Sequence, residues 1–240
     1  MPAIDKVFAV RKSDFEEQVN VLVEQKIPVV SLADLVNDRI TEDFAVVITC
    51  DDGNLSDYEI IYPVLKANGM TATFFWLTGK RDLINHSQAQ EMIMNGFTIA
   101  SHGITHLDLT KLDLEEQVNE LEASKRTLEE RLQIPVEYFS FPFGIYNNIA
   151  IEQSKKAGYK AVFTTDAKLN YPGERPFVIH RWSVKRSTSL KHFEAILTNK
   201  IALKKFILVS KFRKFAIKVL GRPVSDRLNI LIHSKTPSTD

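Results

Sequence analysis

The chain has 240 residues, 44% hydrophobic and 25% charged, with 31 basic against 30 acidic side chains. That length buries a core with ease, and a formal net charge of +1 gives no global pull toward nucleic acid. One cysteine, Cys50, excludes an internal disulfide framework, and no apolar run approaches the ~20 residues that span a bilayer. The N-terminus, MPAIDKVFAVRKSDFEEQ, lacks the apolar stretch of a signal peptide, so the expectation is a soluble, cytoplasmic protein.

Residues 15–26 carry Phe15, Val19, Leu22 and Val23 at helical spacing, with Ser13 or Asp14 to cap them. A strand is expected at 27–31, a short helix at 32–38, and a buried strand at 45–50 (AVVITC). Residues 57–68 form a helix stopped by Gly69, and 71–77 (TATFFWL) a strand. A helix over 87–95 and a strand over 97–101 follow. The near capping box Asp113–Glu116 opens a long helix with Leu114, Val118, Leu121, Leu128 and Leu132 on one stripe. Then come strands at 138–141, 161–164 and 177–181, with a helix at 147–157 between the first two. Some seven strands alternating with helices predict a parallel sheet, closed into a barrel or doubly wound. No linker interrupts it before about residue 199.

Three clusters follow strands and therefore share one rim of such a sheet. The first is Asp51-Asp52-Gly53. Asp-Gly is a common turn dipeptide, but two adjacent carboxylates at the end of a buried strand repel and lose hydration unless a cation or shared proton compensates. The second is SHGITH, whose His102 and His106 suit zinc or a similar divalent ion, although two nearby histidines also arise by coincidence. One carboxylate and two imidazoles make a facial metal site with open positions, leaving the other carboxylate as a base. The third is FSFPFGIYN, where Pro142 and Gly144 shape a loop and Phe141, Phe143 and Tyr146 either wall a pocket or pack a turn. Cys50 reads as a small core residue.

TCDDG, SHGITH and FPFG in this order resemble the polysaccharide deacetylases of carbohydrate esterase family four, the chitooligosaccharide-deacetylase-like group. So do their surroundings, DDGNLSDYEIIYPVLKANGMTATFFW, NGFTIASHGITHLDLTKL and KKAGYKAVFTT, and the likeness runs from about residue 15 to 187. The resemblance implies an α/β fold, a distorted (β/α)7 barrel open at one seam. It also implies metal-dependent removal of N- or O-acetyl groups from a glycan. Position by position, Asp51 matches the base, Asp52, His102 and His106 the ligands of a divalent ion such as Zn2+, and the Phe143 N–H the oxyanion donor beside Pro142. The family's base-orienting arginine has no counterpart in the third cluster, where Ser140 stands in its place. Two residues compete for the acid histidine, His180 in FVIHRWSV and His233 in NILIHSK, and Asp51 can also return the proton itself. The expected reaction is N-deacetylation of an N-acetylhexosamine in a glycan or lipid-linked saccharide during surface-polysaccharide synthesis. Hydrolysis of another non-peptide C–N bond, or a metal-free glycan- or membrane-binding module, are the alternatives.

Residues 200–222, KIALKKFILVSKFRKFAIKVLGR, contain eight basic and no acidic side chains, with Leu203, Phe206, Ile207, Phe212, Ala216 and Val219 at roughly helical intervals. This segment sets a second region, 200–240, apart from a barrel domain over 1–199. It reads either as an amphipathic helix for an anionic membrane surface or as a helix packed on the barrel. No nucleic-acid module accompanies the charge.

Overall fold

The computed structural model describes residues 5–80, 84–171 and 176–220. The chain divides into two compact units, Met1–Glu194 and Ala195–Asp240. The first begins with helices α1 (Asp5–Phe8), α2 (Lys12–Glu24) and α3 (Leu32–Val36), then strand β1 (Thr49–Asp52). A π-helical turn, Asp57–Ile61, leads into α4 (Tyr62–Ala67), followed by β2 (Thr73–Trp76), α5 (His86–Met94) and β3 (Thr98–Ser101). The rest is α6 (Leu114–Leu132), β4 (Tyr138–Ser140), α7 (Asn148–Lys156), β5 (Ala161–Phe163) and β6 (Val178–Ile179), with the division between units falling inside α8 (Leu190–Thr198). The second unit contains α9 (Lys200–Leu220).

Among the described residues, six strands pair in parallel, in the order β1-β2-β3-β4-β5-β6. The expected strand at 27–31 is reduced to one parallel bridge, Val29 to Val46, flanked by Val30 N–H to Val46 O and Val46 N–H to Pro28 O, both 2.9 Å. Pro28 has no N–H to extend that ladder. The helix expected over 57–68 starts as a π-turn because Pro63 cannot donate to the carbonyl one turn back.

Strand alternation builds two cores. Phe74, Trp76, Ile99, Phe139 and Val162 face outward against Leu65, Met92, Leu121 and Leu128 of the helices. Phe75, Ala100, Tyr138, Ala161, Phe163 and Ile179 face inward with Leu32. The inner set shows the curl: the rings of Phe75 on β2 and Phe163 on β5 stand 5.0 Å apart although two strands separate them. The result is a distorted half-barrel, open between its edges. Removing Phe75, which is fully buried, is worth about 3–5 kcal/mol.

Candidate active site

The C-terminal ends of β1, β3, β4 and β6 deliver the chemistry-bearing side chains to one rim. Register places Asp51 beside Phe75 and Asp52 beside Trp76, so Asp51 belongs to the inward set and Asp52 to the outward one. Both carboxylates nevertheless come back to His102 Nε2, Asp51 Oδ2 at 3.9 Å and Asp52 Oδ1 at 3.5 Å. Asp52 then turns at φ 81° into Gly53 at φ 63°, where a Cβ would stand 2.9 Å from the Trp76 side chain. Gly53 thus supplies both a left-handed turn and a close approach.

His102 follows β3, its N–H bonded to the Trp76 carbonyl at 2.8 Å, and is 1% exposed. Its Nδ1 faces the Ser140 carbonyl at 2.7 Å. A carbonyl only accepts, so the ring proton sits on Nδ1 and the Nε2 lone pair faces the rim. Burial, outweighing the pull of Asp51 and Asp52, pushes this imidazole below its ordinary pKa and keeps it neutral. His102 Nε2 lies 3.5 Å from Asp52 Oδ1, and His106 Nε2 lies 3.4 Å from the same oxygen. Charge-assisted hydrogen bonds are shorter, about 2.7–2.9 Å. These separations instead match the edge, about 3.4 Å, of a tetrahedron with metal–ligand bonds of about 2.1 Å. The three donor atoms all lie within 4.8 Å of one another. A neutral, oriented imidazole, a second imidazole and a carboxylate are a donor set that fits a divalent cation.

Beside them, Asp51 is clamped. Arg181 donates Nη1 to Oδ1 at 2.7 Å and Nη2 to Oδ2 at 2.8 Å. Its other donors reach Thr49 Oγ1 (3.1 Å), Ser140 Oγ (2.6 Å) and, through Nε, the Thr164 carbonyl (3.2 Å), so all five N–H groups are engaged. Ser140 Oγ donates to Asp51 Oδ2 at 3.2 Å. The guanidinium lies 5.2 Å from the Phe75 ring centre and 5.8 Å from that of Phe163, which fixes its plane. Burial pushes the Asp51 carboxyl up, but the Arg181 charge, the His102 ring and the hydrogen bonds from Arg181 and Ser140 outweigh it and hold the pKa at about 2.

The third loop contributes Phe143, at φ 60° in a 3₁₀ turn begun by buried Pro142. The residue is 44% exposed, its ring lies 4.5 Å from that of His106, and its N–H meets no acceptor among the described residues. Gly144 is required next: a Cβ there would sit 2.4 Å from the Thr165 backbone nitrogen. Six described non-glycine residues have positive φ. Lys26, Asp38 and Gln133 close helices, which is ordinary. The other three are Asp52, His106 and Phe143. Backbone strain away from helix ends is therefore confined to the rim.

The structure brings together Asp51, Asp52, His102, His106 and Phe143 with its neighbour Pro142, all named from the sequence. Two residues were missed. Arg181 serves the carboxylate from β6 rather than from the third loop, where Ser140 stands; its place directly after the last strand was the available sign. Glu120 on α6, 4% exposed, accepts from the Ile104 N–H (2.7 Å), the Thr105 N–H (3.2 Å) and the Thr105 hydroxyl (2.5 Å), and so holds the loop between the histidines. Nothing in the helical pattern marks it. His180 contacts Thr164 Oγ1 at 3.4 Å and Asp166 at 3.9 Å, whereas the adjacent Arg181 reaches Asp51. His233 lies outside the described residues. Desolvation, then the Asp57 and Asp51 charges, push the Cys50 thiol up, as suits a packing residue.

Fold and site define a class: a parallel β/α half-barrel with a two-histidine, one-carboxylate centre and a clamped second carboxylate at the strand C-termini. The chain belongs to the polysaccharide deacetylase family, whose model matches residues 38–162. The Bacillus subtilis protein YxkH is 31% identical over 166 residues, 68% of this chain and 60% of that protein's length. A poly-beta-1,6-N-acetyl-D-glucosamine N-deacetylase from Staphylococcus aureus is 26% identical over 196 residues, 73% of this chain and 68% of the relative. Two solved structures share the fold. IcaB from Ammonifex degensii has a TM-score of 0.69 at 24% identity, covering 78% of this chain and 89% of its own. The Streptococcus pyogenes deacetylase PplD has 0.68 at 22%, covering 76% and 84%.

Proposed function

We propose that this protein is a metal-dependent hydrolase that removes N-acetyl groups from an N-acetylhexosamine-containing polysaccharide. One observation carries the reading: an Asp52–His102–His106 triangle of metal-ligand dimensions beside an ionised carboxylate held by Arg181. The Staphylococcus aureus relative, named for deacetylation of poly-beta-1,6-N-acetyl-D-glucosamine, supports the substrate class.

Asp52, His102 and His106 would hold a divalent ion, zinc being the ion such donors suit best. Bound there, the ion supplies water of lowered pKa and a Lewis-acid contact for the acyl oxygen. The chain's own groups do the rest. Asp51, kept ionised and oriented by Arg181 and Ser140, accepts the proton of the attacking water. The Phe143 N–H donates to the oxygen that becomes negative as the acetyl carbon turns tetrahedral. The exposed Phe143 ring offers an apolar wall beside the acetyl group. We assign the return of the proton to the departing sugar amine to Asp51 itself, which already holds it, whereas His180 is engaged with Thr164 and Asp166 and His233 lies outside the described residues. A carboxyl of such low pKa releases it readily.

The test combines metal analysis with acetate release from poly-beta-1,6-N-acetylglucosamine and from acetylated chitooligosaccharides. Asp51→Asn is expected to retain metal and lose about 10²–10⁴-fold in turnover, while His102→Ala loses both. Full turnover in Asp51→Asn would remove the assigned base, and no acetate from either glycan would remove the reaction.

A further inference from the structure

The second unit carries a surface that the proposed reaction does not use. Helix α9 has 21 residues, about 31 Å of length, with seven basic side chains and no acidic one. All 30 acidic residues of the chain lie elsewhere. Four large apolar side chains on it are exposed, Val209 at 42% and, the most exposed, Ile201 at 78%, Leu208 at 68% and Phe212 at 63%. The spacings of seven and four residues put Ile201, Leu208 and Phe212 within about 40° of one another on the helix surface, a single stripe along the axis. Lys204 and Lys211, both exposed, follow Ile201 and Leu208 by three residues each and form a row along one border of the stripe. Lys205, four residues after Ile201 and also exposed, stands on the other border. Ala202, Leu203, Phe206, Ile207 and Ser210 occupy the separate, half-buried face.

We infer that this stripe lies in the interface of an anionic lipid bilayer, with the helix axis parallel to the membrane plane. No described helix is long and apolar enough to cross a membrane, which excludes α9 as a span. An apolar stripe bordered by lysines is instead the pattern of a helix that sinks one face into the boundary between headgroups and acyl chains. The lysine stems lie along the apolar surface while their ammonium groups stay with lipid phosphates. A nucleic-acid backbone would use the charge but leave Ile201, Leu208 and Phe212 in water. This inference does not rest on the assigned reaction.

The test is co-sedimentation of the full chain with vesicles, either of phosphatidylcholine alone or of phosphatidylcholine mixed with phosphatidylglycerol. Binding is expected to the mixed vesicles only and to weaken as salt is raised. Lys204→Gln with Lys211→Gln should weaken it by about fivefold per lysine. Glutamine keeps the helix propensity, so this pair separates loss of contact from loss of the helix. Leu208→Ser with Phe212→Ser should also weaken binding, with the far-UV spectrum confirming a retained helix. Absence of binding to mixed vesicles would overturn the inference. So would binding that the serine pair leaves unchanged, or that double-stranded DNA competes away completely, since either outcome reduces the surface to charge alone.

Discussion

Asp51 and Asp57 are six positions apart and titrate in opposite directions. The hold of Arg181 and Ser140 leaves Asp51 at about 2, below its unfolded value of 3.8. It therefore contributes stability that is present above pH 4 and lost as pH falls through 2, at most about 2 kcal/mol. Asp57 is 2% exposed, with an Oδ2 that has no hydrogen-bond partner among the described residues. Burial raises it to about 8, with Asp52 and Asp51 adding to the rise and Lys80 opposing it. Folding then favours the protonated form, so stability falls as pH rises from about 4 to 8. In chelator-treated protein, the melting temperature is expected to drop between about pH 5 and pH 8, and Asp57→Asn to flatten that slope. Parallel slopes for the two proteins would disprove the assignment. Arg181→Lys keeps the charge but loses the two-pronged hold, the Thr164 contact and the stacking geometry. Turnover should fall about 10²-fold with metal content unchanged, read by steady-state kinetics beside metal analysis. The carboxylates and histidines were legible in the sequence because each pair sits within a few residues at the end of a recognisable strand. Arg181 was not, since its partner is 130 positions away and nothing local records the pairing.

At the scale of elements, the loop between the two histidines depends on α6. Glu120 is the carboxylate that accepts the Ile104 and Thr105 N–H groups. Glu120→Ala would leave those donors without an acceptor, at a cost of about 1–3 kcal/mol for each one that stays buried. The expected outcome is a metal affinity lowered about 10–100-fold, with faster amide hydrogen exchange at residues 104 and 105. Unchanged exchange there would show that the loop holds itself. The helix bearing Glu120 was easy to read, because Asp113 and Glu116 form both halves of a capping box and its leucines recur at helical spacing. Its buried carboxylate was invisible, because one glutamate in a helix of 19 residues rich in charged side chains looks like solvated surface. Two of the departures from expectation fall at prolines. Pro28 limits a strand to a bridge and Pro63 forces a π-turn, and in each case a missing N–H decides the matter.

For the whole molecule, an ion bound only by the folded state raises stability by mass action, about 2.7 kcal/mol at a hundred times its dissociation constant. A domain of this size should then melt about 5–10 °C higher with saturating zinc than with chelator. Asp52→Ala should abolish that difference while leaving the chelated midpoint little changed. A zinc shift that survives Asp52→Ala would place the ion elsewhere. The parallel β/α architecture was legible from the alternation of apolar runs with capped helices. The curl of the sheet was not, because it depends on side chains such as Phe75 and Phe163 meeting across the interior, two strands apart.

The ion pair between Asp51 and Arg181 joins the first strand of the sheet to the end of the last. Each backbone pairing between strands links neighbours in sequence order, and each can form as soon as its own β/α unit has formed. The clamp closes a loop of 130 residues, so its entropic cost is met only once the intervening units are in place. Catalysis should therefore be the last property to return on refolding. After dilution from denaturant, ellipticity at helix wavelengths is expected to recover first and acetate release to lag behind it, with zinc present throughout. Simultaneous recovery would mean that the two edges of the sheet find each other early.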